Sequence, residues 1–247
     1  MTEQTEQFNT IAPLRNVSRL TSLIKQLDSR GEGLPGMGVF YGPSGFGKSM
    51  STVYASNVEQ AVTVQVKSTW TTKKLCQAIA LEMGLKPAKT SGDMVEQISQ
   101  ELLLHDVPLL VDEADFLVQR NMVEVVRDIY ESAFVPVVLI GEEQLPQKLK
   151  KWERVHGRIL SWVTAEPADD QDYELLKRIY CPGVELDAEM TRQVKQAARG
   201  SARRICTNLD RIREVCLVAA KDRMSFKVWG YSVIYTGDAP MPRRTFR

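Results

Sequence analysis

Short apolar runs alternate with amphipathic stretches through the first two thirds of this chain, and the alternation predicts its layout. Leu14, Val17, Leu20, Leu23, Ile24 and Leu27 recur at three- and four-residue spacings, the stripe of an amphipathic helix. Turn chemistry at Gly31-Glu32-Gly33-Leu34-Pro35-Gly36 ends it. Apolar runs follow at 37–41, 62–66, 107–111, 135–140 and 159–163. The short runs at 37–41, 107–111 and 135–140 read as buried strands, and those at 62–66 and 159–163 as further strands. Helical patterns from 49, over 72–83, 93–104 and 122–132 lie between them. Repeated β-α-β units of this kind predict an α/β fold, a doubly wound parallel sheet between helices.

After Pro167 the pattern changes to helices only, at 172–180, 187–198 and 201–221. The expected organisation is a flexible N-terminal arm over 1–10, an α/β domain over 11–166, a small helical lid domain over 167–222, and a C-terminal basic and aromatic tail over 223–247. Within that tail, residues 226–235 are aromatic and partly alternating, which suits an edge strand, a packed tail or a partner-binding segment.

Composition narrows the class. Of the 247 residues 43% are hydrophobic and 26% charged, ordinary for a soluble protein. No run of 18 apolar residues occurs, so no membrane span is expected, and the polar start is unlike a signal peptide. Cys76, Cys181, Cys206 and Cys216 are scattered, and His105 and His156 stand alone, without zinc-ligand spacing. Reduced thiols and a cytoplasmic location are expected. The formal charge of +1 hides an uneven distribution: residues 166–194 hold 8 acidic and 3 basic side chains, and 195–247 hold 12 basic and 4 acidic. The basic third suits a nucleic-acid or phosphate face, or equally a solvated helix surface.

The candidate chemistry begins at Gly42-Pro43-Ser44-Gly45-Phe46-Gly47-Lys48-Ser49, a complete G-x-x-x-x-G-K-[ST] phosphate loop between an apolar strand and a helix. Its glycines let backbone N–H groups close around an anion at the positive end of the following helix. Lys48 would reach the β- and γ-phosphates and Ser49 would hold Mg²⁺; residues 42–50, Met50 included, form the expected nucleotide site. Asp112 and Glu113 end a buried strand, where the carboxyl ends of an open α/β sheet line the ligand crevice. Asp112 is placed to support the metal, and Glu113 to orient and deprotonate the attacking water. Asp115 reads as a cap for the next helix. Arg154 and Arg158 precede the last strand; one of them could act in trans on a neighbour's nucleotide, or both could simply cover an exposed face. Arg203, in Gly200-Ser201-Ala202-Arg203, could reach the γ-phosphate from the lid.

These parts in this order resemble the AAA+ ATPases over about residues 11–222. Within that superfamily residues 42–49, 109–115 and 138–142 are most similar to the phage Mu transposition protein B group of DNA transposition regulators. The resemblance implies ATP as the nucleotide, ATP-dependent homo-oligomers, a helical filament or a ring, assembled on double-stranded DNA, and delivery of target DNA to a transposase in a bacterial host cell. It makes Arg158 the arginine finger, with Arg154 second, and Arg203 the second sensor. It places DNA contacts after the second strand, here Lys67, Thr72, Lys73 and Lys74, although Thr71 or Thr72 would also serve as an ordinary helix cap. Gly141-Glu142-Glu143 stands where many relatives place Asn, Ser or Thr as first sensor, so that role is unassigned. The extra N-terminal DNA-binding domain of the phage Mu protein has no counterpart in these residues, so DNA binding is expected to rest on the ATPase core and the basic C-terminal third.

Three functions follow for comparison. The leading one is an ATP-dependent DNA-binding transposition regulator. The second is a nucleotide switch that docks a protein, as a helicase loader or a secretion-type ATPase does, without binding duplex DNA. The third, an ATP-driven remodeller, lacks an evident aromatic-Gly pore loop.

Overall fold

The computed structural model describes residues 14–230 and 233–239; the expected arm over 1–10 and the basic end of the tail lie outside them. The chain divides into two compact units that meet in sequence at Glu166 and Pro167.

The larger unit runs α1 (Arg15–Asp28), β1 (Met37–Tyr41), α2 (Lys48–Val58), β2 (Val62–Gln65), α3 (Thr72–Glu82), α4 (Ser91–His105), β3 (Leu109–Asp112), α5 (Asp115–Gln119), α6 (Val123–Ala133), β4 (Val137–Gly141), α7 (Leu145–Leu149), α8 (Glu153–His156) and β5 (Ile159–Thr164). Its five strands are all parallel, in the order β2-β3-β4-β1-β5. Successive side chains of a strand point to opposite faces, and both faces are covered. Val39, Val111 and Leu139 pack with Leu75, Ile79, Ile98 and Ile129 of α3, α4 and α6. Phe40, Leu110, Val138 and Ile140 pack with Leu20, Leu23, Ile24 and Leu27 of α1. That two-sided burial is why the inner strands β1, β3 and β4 read as continuous apolar runs.

The smaller unit holds α9 (Asp170–Tyr180), β6 (Glu185–Leu186), α10 (Ala188–Ala198), α11 (Ala202–Val218), β7 (Arg223–Met224) and α12 (Phe226–Trp229). Its helices are capped by the side chains of Asp169, Asp187 and Ser201. The expectation of helices only is corrected here: β6 and β7 pair in parallel, two residues each, too short to show a strand pattern. Residues 226–229 form a helix rather than an edge strand. Beyond them Tyr235 is held on α11, its N–H donating to Asn208 Oδ1 at 2.7 Å and its carbonyl accepting from Asn208 Nδ2 at 2.9 Å.

Candidate nucleotide site

The turn from β1 into α2 presents backbone before side chains. Gly47 caps α2 at φ 85°, a left-handed conformation that costs a residue with a Cβ about 1–2 kcal/mol. The first N–H groups of α2 then have no carbonyl partner within the helix and are directed at the loop. Lys48 Nζ lies across that loop, donating to Gly42 O at 2.7 Å and Pro43 O at 2.9 Å. Ser49 and Met50 are exposed at the start of the helix. Ser51 and Thr52, one turn on, are buried and donate their hydroxyls back to Gly47 O and Lys48 O.

Asp112 ends β3 two strands away, at the same carboxyl edge of the sheet. It is 5% exposed, and Oδ1 accepts the Glu113 N–H at 2.8 Å. Glu113 takes φ 56°, so the chain turns sharply immediately after the strand. Burial pushes the Glu113 carboxyl above its ordinary pKa, and the charges of Asp112, Asp115 and Glu142 add to the shift while Lys48 opposes it. Burial likewise pushes the Lys48 ammonium down, against the pull of Asp112, Glu113, Glu142 and Asp115. Loop lysine and carboxylates therefore share one electrostatic environment.

Asp115 is not a helix cap. Ala114 holds the cap position of α5 without a side-chain bond, and Asp115 turns inward at 3% exposure. Its Oδ2 accepts from Glu142 N–H at 2.6 Å, and Oδ1 pairs with Lys148 Nζ at 2.6 Å. These bonds tie the turn carrying Glu113 to the end of β4. Gly141 leaves the room for them: a Cβ there would meet the Asp115 carboxylate and come within 2.7 Å of Leu145 Cδ2.

The remaining candidates lie elsewhere. Arg158 precedes β5 at the amino edge of the sheet, where its backbone carbonyl accepts from Met37 N–H at 3.0 Å. Its guanidinium is half exposed and paired with Glu131 Oε1 at 2.8 Å, beside a cleft shared with Arg30, Tyr130 and Phe134. Arg154 is exposed on α8. Arg203 sits in the first turn of α11, in the smaller unit. Lys67, Lys73 and Lys74 are exposed; Thr71, not Thr72, caps α3, its Oγ1 accepting from Lys74 N–H at 3.4 Å. Sequence reasoning missed Arg120, whose Nε donates to Ser68 O at 2.6 Å beside those lysines, and Lys148 and Asn16, whose partners are remote in sequence.

The donor set fits a magnesium triphosphate. Among the described residues no group of three or more His, Cys, Asp or Glu forms a metal cage. Mg²⁺ is normally held by one or two protein oxygens together with substrate phosphates, which is what Ser49 and Asp112 offer. Among the described residues no helix is long and apolar enough to cross a membrane.

Residues 32–149 match the family model for the AAA domain. No curated protein matches the sequence. Among solved structures the chain is similar to Aeropyrum pernix ORC1 in complex with DNA, with 20% identity and a TM-score of 0.62 over 86% of this chain and 62% of that one. It is similar to Cdc6p from Pyrobaculum aerophilum, with 13% identity and a TM-score of 0.58 over 84% and 62%. A Drosophila ORC chain bound to DNA gives 16% identity and a TM-score of 0.55 over 84% and 55%. The chain thus spans less than two thirds of the length of these relatives, and at such identities the likeness establishes the fold. None of these matches points to the phage Mu transposition protein B group in particular. Residues 32–149 are thus similar to an AAA domain, and the parallel five-stranded sheet between helices is the AAA+ fold.

Proposed function

We propose that this chain is a Mg²⁺-dependent ATPase whose nucleotide state controls its assembly on double-stranded DNA, without regard to base sequence, and that it directs a transposase to that DNA. The observation carrying the reading is the convergence of the phosphate loop, Lys48, Asp112 and Glu113 at one edge of one sheet. Backbone N–H groups and Lys48 hold the β- and γ-phosphates, and Glu113 orients the attacking water and accepts its proton. Ser49 and Asp112 would hold a Mg²⁺ ion, which would neutralise phosphate charge. Arg158 acts on the nucleotide of a neighbouring copy, and the role of Arg203 as second sensor rests on the resemblance alone.

Lys67, Lys73 and Lys74, exposed after β2, support phosphate contacts that carry no sequence information. Two of the similar solved structures contain DNA. Delivery to a transposase rests on the resemblance of residues 42–49, 109–115 and 138–142 to the Mu group. The test is polarization of a fluorescent, non-specific duplex of about 60 base pairs with ATP, ADP or no nucleotide, paired with negative-stain images. ATP-dependent binding with a steep salt slope and filaments is expected. No binding in any nucleotide state overturns the DNA reading and favours the protein-docking switch.

A further inference from the structure

Asn16 stands second in α1, where a short polar residue would ordinarily face water, yet it is 3% exposed. Burying an amide without partners costs roughly 1–3 kcal/mol by mutational measure. Here the amide has partners on two sides. Nδ2 donates to Phe46 O at 2.8 Å and to Glu166 O at 2.8 Å, and Oδ1 accepts from Glu166 N–H at 2.9 Å. Phe46 belongs to the phosphate loop. Glu166 is the last residue of the larger unit, immediately before the chain passes into the smaller one at Pro167. Packing does not call for an amide at this position, because Val17, Leu20, Leu23, Ile24 and Leu27 already bury the apolar side of α1. Arg19 braces the same exit from one side only: Nε donates to Thr164 O at 3.0 Å, and Nη2 lies 3.5 Å from Glu166 Oε1.

We infer that Asn16 is a positioning residue that couples the phosphate loop to Glu166, so that a triphosphate ordering the loop also fixes the point where the chain leaves the unit. This rests on the reading of residues 42–49 as a nucleotide site. A phosphate held by the loop N–H groups fixes the peptide planes around Phe46 and with them the direction of the Phe46 carbonyl. Asn16 cannot follow that carbonyl without moving its bonds to Glu166, since one planar amide makes all three. Any free energy with which nucleotide favours one loop geometry is therefore shared with the exit segment, and the coupling is reciprocal.

Hydrogen exchange with and without Mg²⁺ and ATPγS reads the coupling directly, since the Glu166 amide proton is one of the three bonds. In the unmodified chain, nucleotide slows exchange in peptides over 42–49 and over the segment containing Glu166. In Asn16→Ala the loop is still protected, with the dissociation constant for a fluorescent ATP analogue raised about tenfold, while the nucleotide-dependent slowing at Glu166 disappears. Asn16→Asp keeps an acceptor for the Glu166 N–H but sets a carboxylate against Phe46 O. It retains basal protection at Glu166 and loses the nucleotide-dependent part, which keeps the test open if the Ala variant does not fold. Arg19→Ala loosens Glu166 without touching Phe46 and keeps the nucleotide response. Persistence of the response in both Asn16 variants overturns the inference, as does its absence from an unmodified chain that binds ATPγS. An unmodified chain that fails to bind the fluorescent analogue overturns the nucleotide reading itself, and the inference with it.

Discussion

Replacing Glu113 by Gln removes one charge and leaves the backbone demand unchanged. Both side chains pay the same cost for φ 56°, about 1–2 kcal/mol, so the fold is not asked to absorb new strain. The charge removed sits among Asp112, Asp115 and Glu142, all of which repel it, so binding of an anionic triphosphate is expected to be unchanged or tighter. On the proposed assignment, what is lost is the acceptor for the proton of the attacking water. A positioned general base contributes typically about 10²–10⁴-fold, so turnover should fall by that factor, about 2.7–5.4 kcal/mol in the barrier. Phosphate release under saturating Mg²⁺-ATP measures turnover, and titration with a fluorescent ATP analogue measures binding on the same preparation. A variant that hydrolyses within about threefold of the unmodified rate refutes the assignment of Glu113 as base, because an amide cannot take the proton. Loss of binding alongside loss of turnover refutes the charge argument instead.

Three further outcomes follow from the geometry. Arg158→Ala should bind the fluorescent analogue normally and lose roughly 10³-fold or more in assembly-dependent turnover; full activity at high protein concentration would show that Arg158 only pairs with Glu131. Gly141→Ala forces a methyl against Asp115 and Leu145 and should destabilise the chain by about 1–3 kcal/mol, seen as a fall in Tm by calorimetry, whereas an unchanged Tm would mean the Asp115 network yields easily. Burial pushes the thiols of Cys76, Cys181 and Cys206 up to about 11, and Cys216 is shifted the same way. Thiolate is the reactive form, so iodoacetamide at pH 8 should leave Cys76, Cys181 and Cys216 unlabelled in the native chain and label all four in guanidinium, while rapid native labelling of any of those three contradicts its burial.

Which features could be read from the sequence follows from how local their causes are. The inner strands β1, β3 and β4 were legible because both faces are buried, which leaves continuous apolar runs such as Val137–Gly141. The helices α1 and α6 were legible because one face is buried over three turns or more. By contrast α5, α7 and α8 have four or five residues each, too few for a period to show. The phosphate loop and the Asp112-Glu113 pair were legible because each is contiguous. Asp115 was misread because the partners that draw it inward, Glu142 and Lys148, lie 27 and 33 residues away. For the same reason Asn16 carried no signal: its link to Glu166 spans 150 residues.

The polarity of the sheet also bears on the proposed hydrolysis. All five strands run parallel, so every carboxyl end, and with it Lys48, Asp112 and Glu113, lies at one edge, while Arg158 lies at the other. Strands of four to six residues at about 3.3 Å per residue separate the two edges by roughly 13–20 Å. A fully extended arginine side chain does not span that distance, and no rotation of a lid changes it, because both ends belong to the same rigid sheet. Within one chain, then, Arg158 cannot touch a phosphate held by its own loop. If the Arg158 guanidinium takes part in the reaction at all, it must leave Glu131 and reach a second copy, so turnover has to rise with assembly rather than with nucleotide alone.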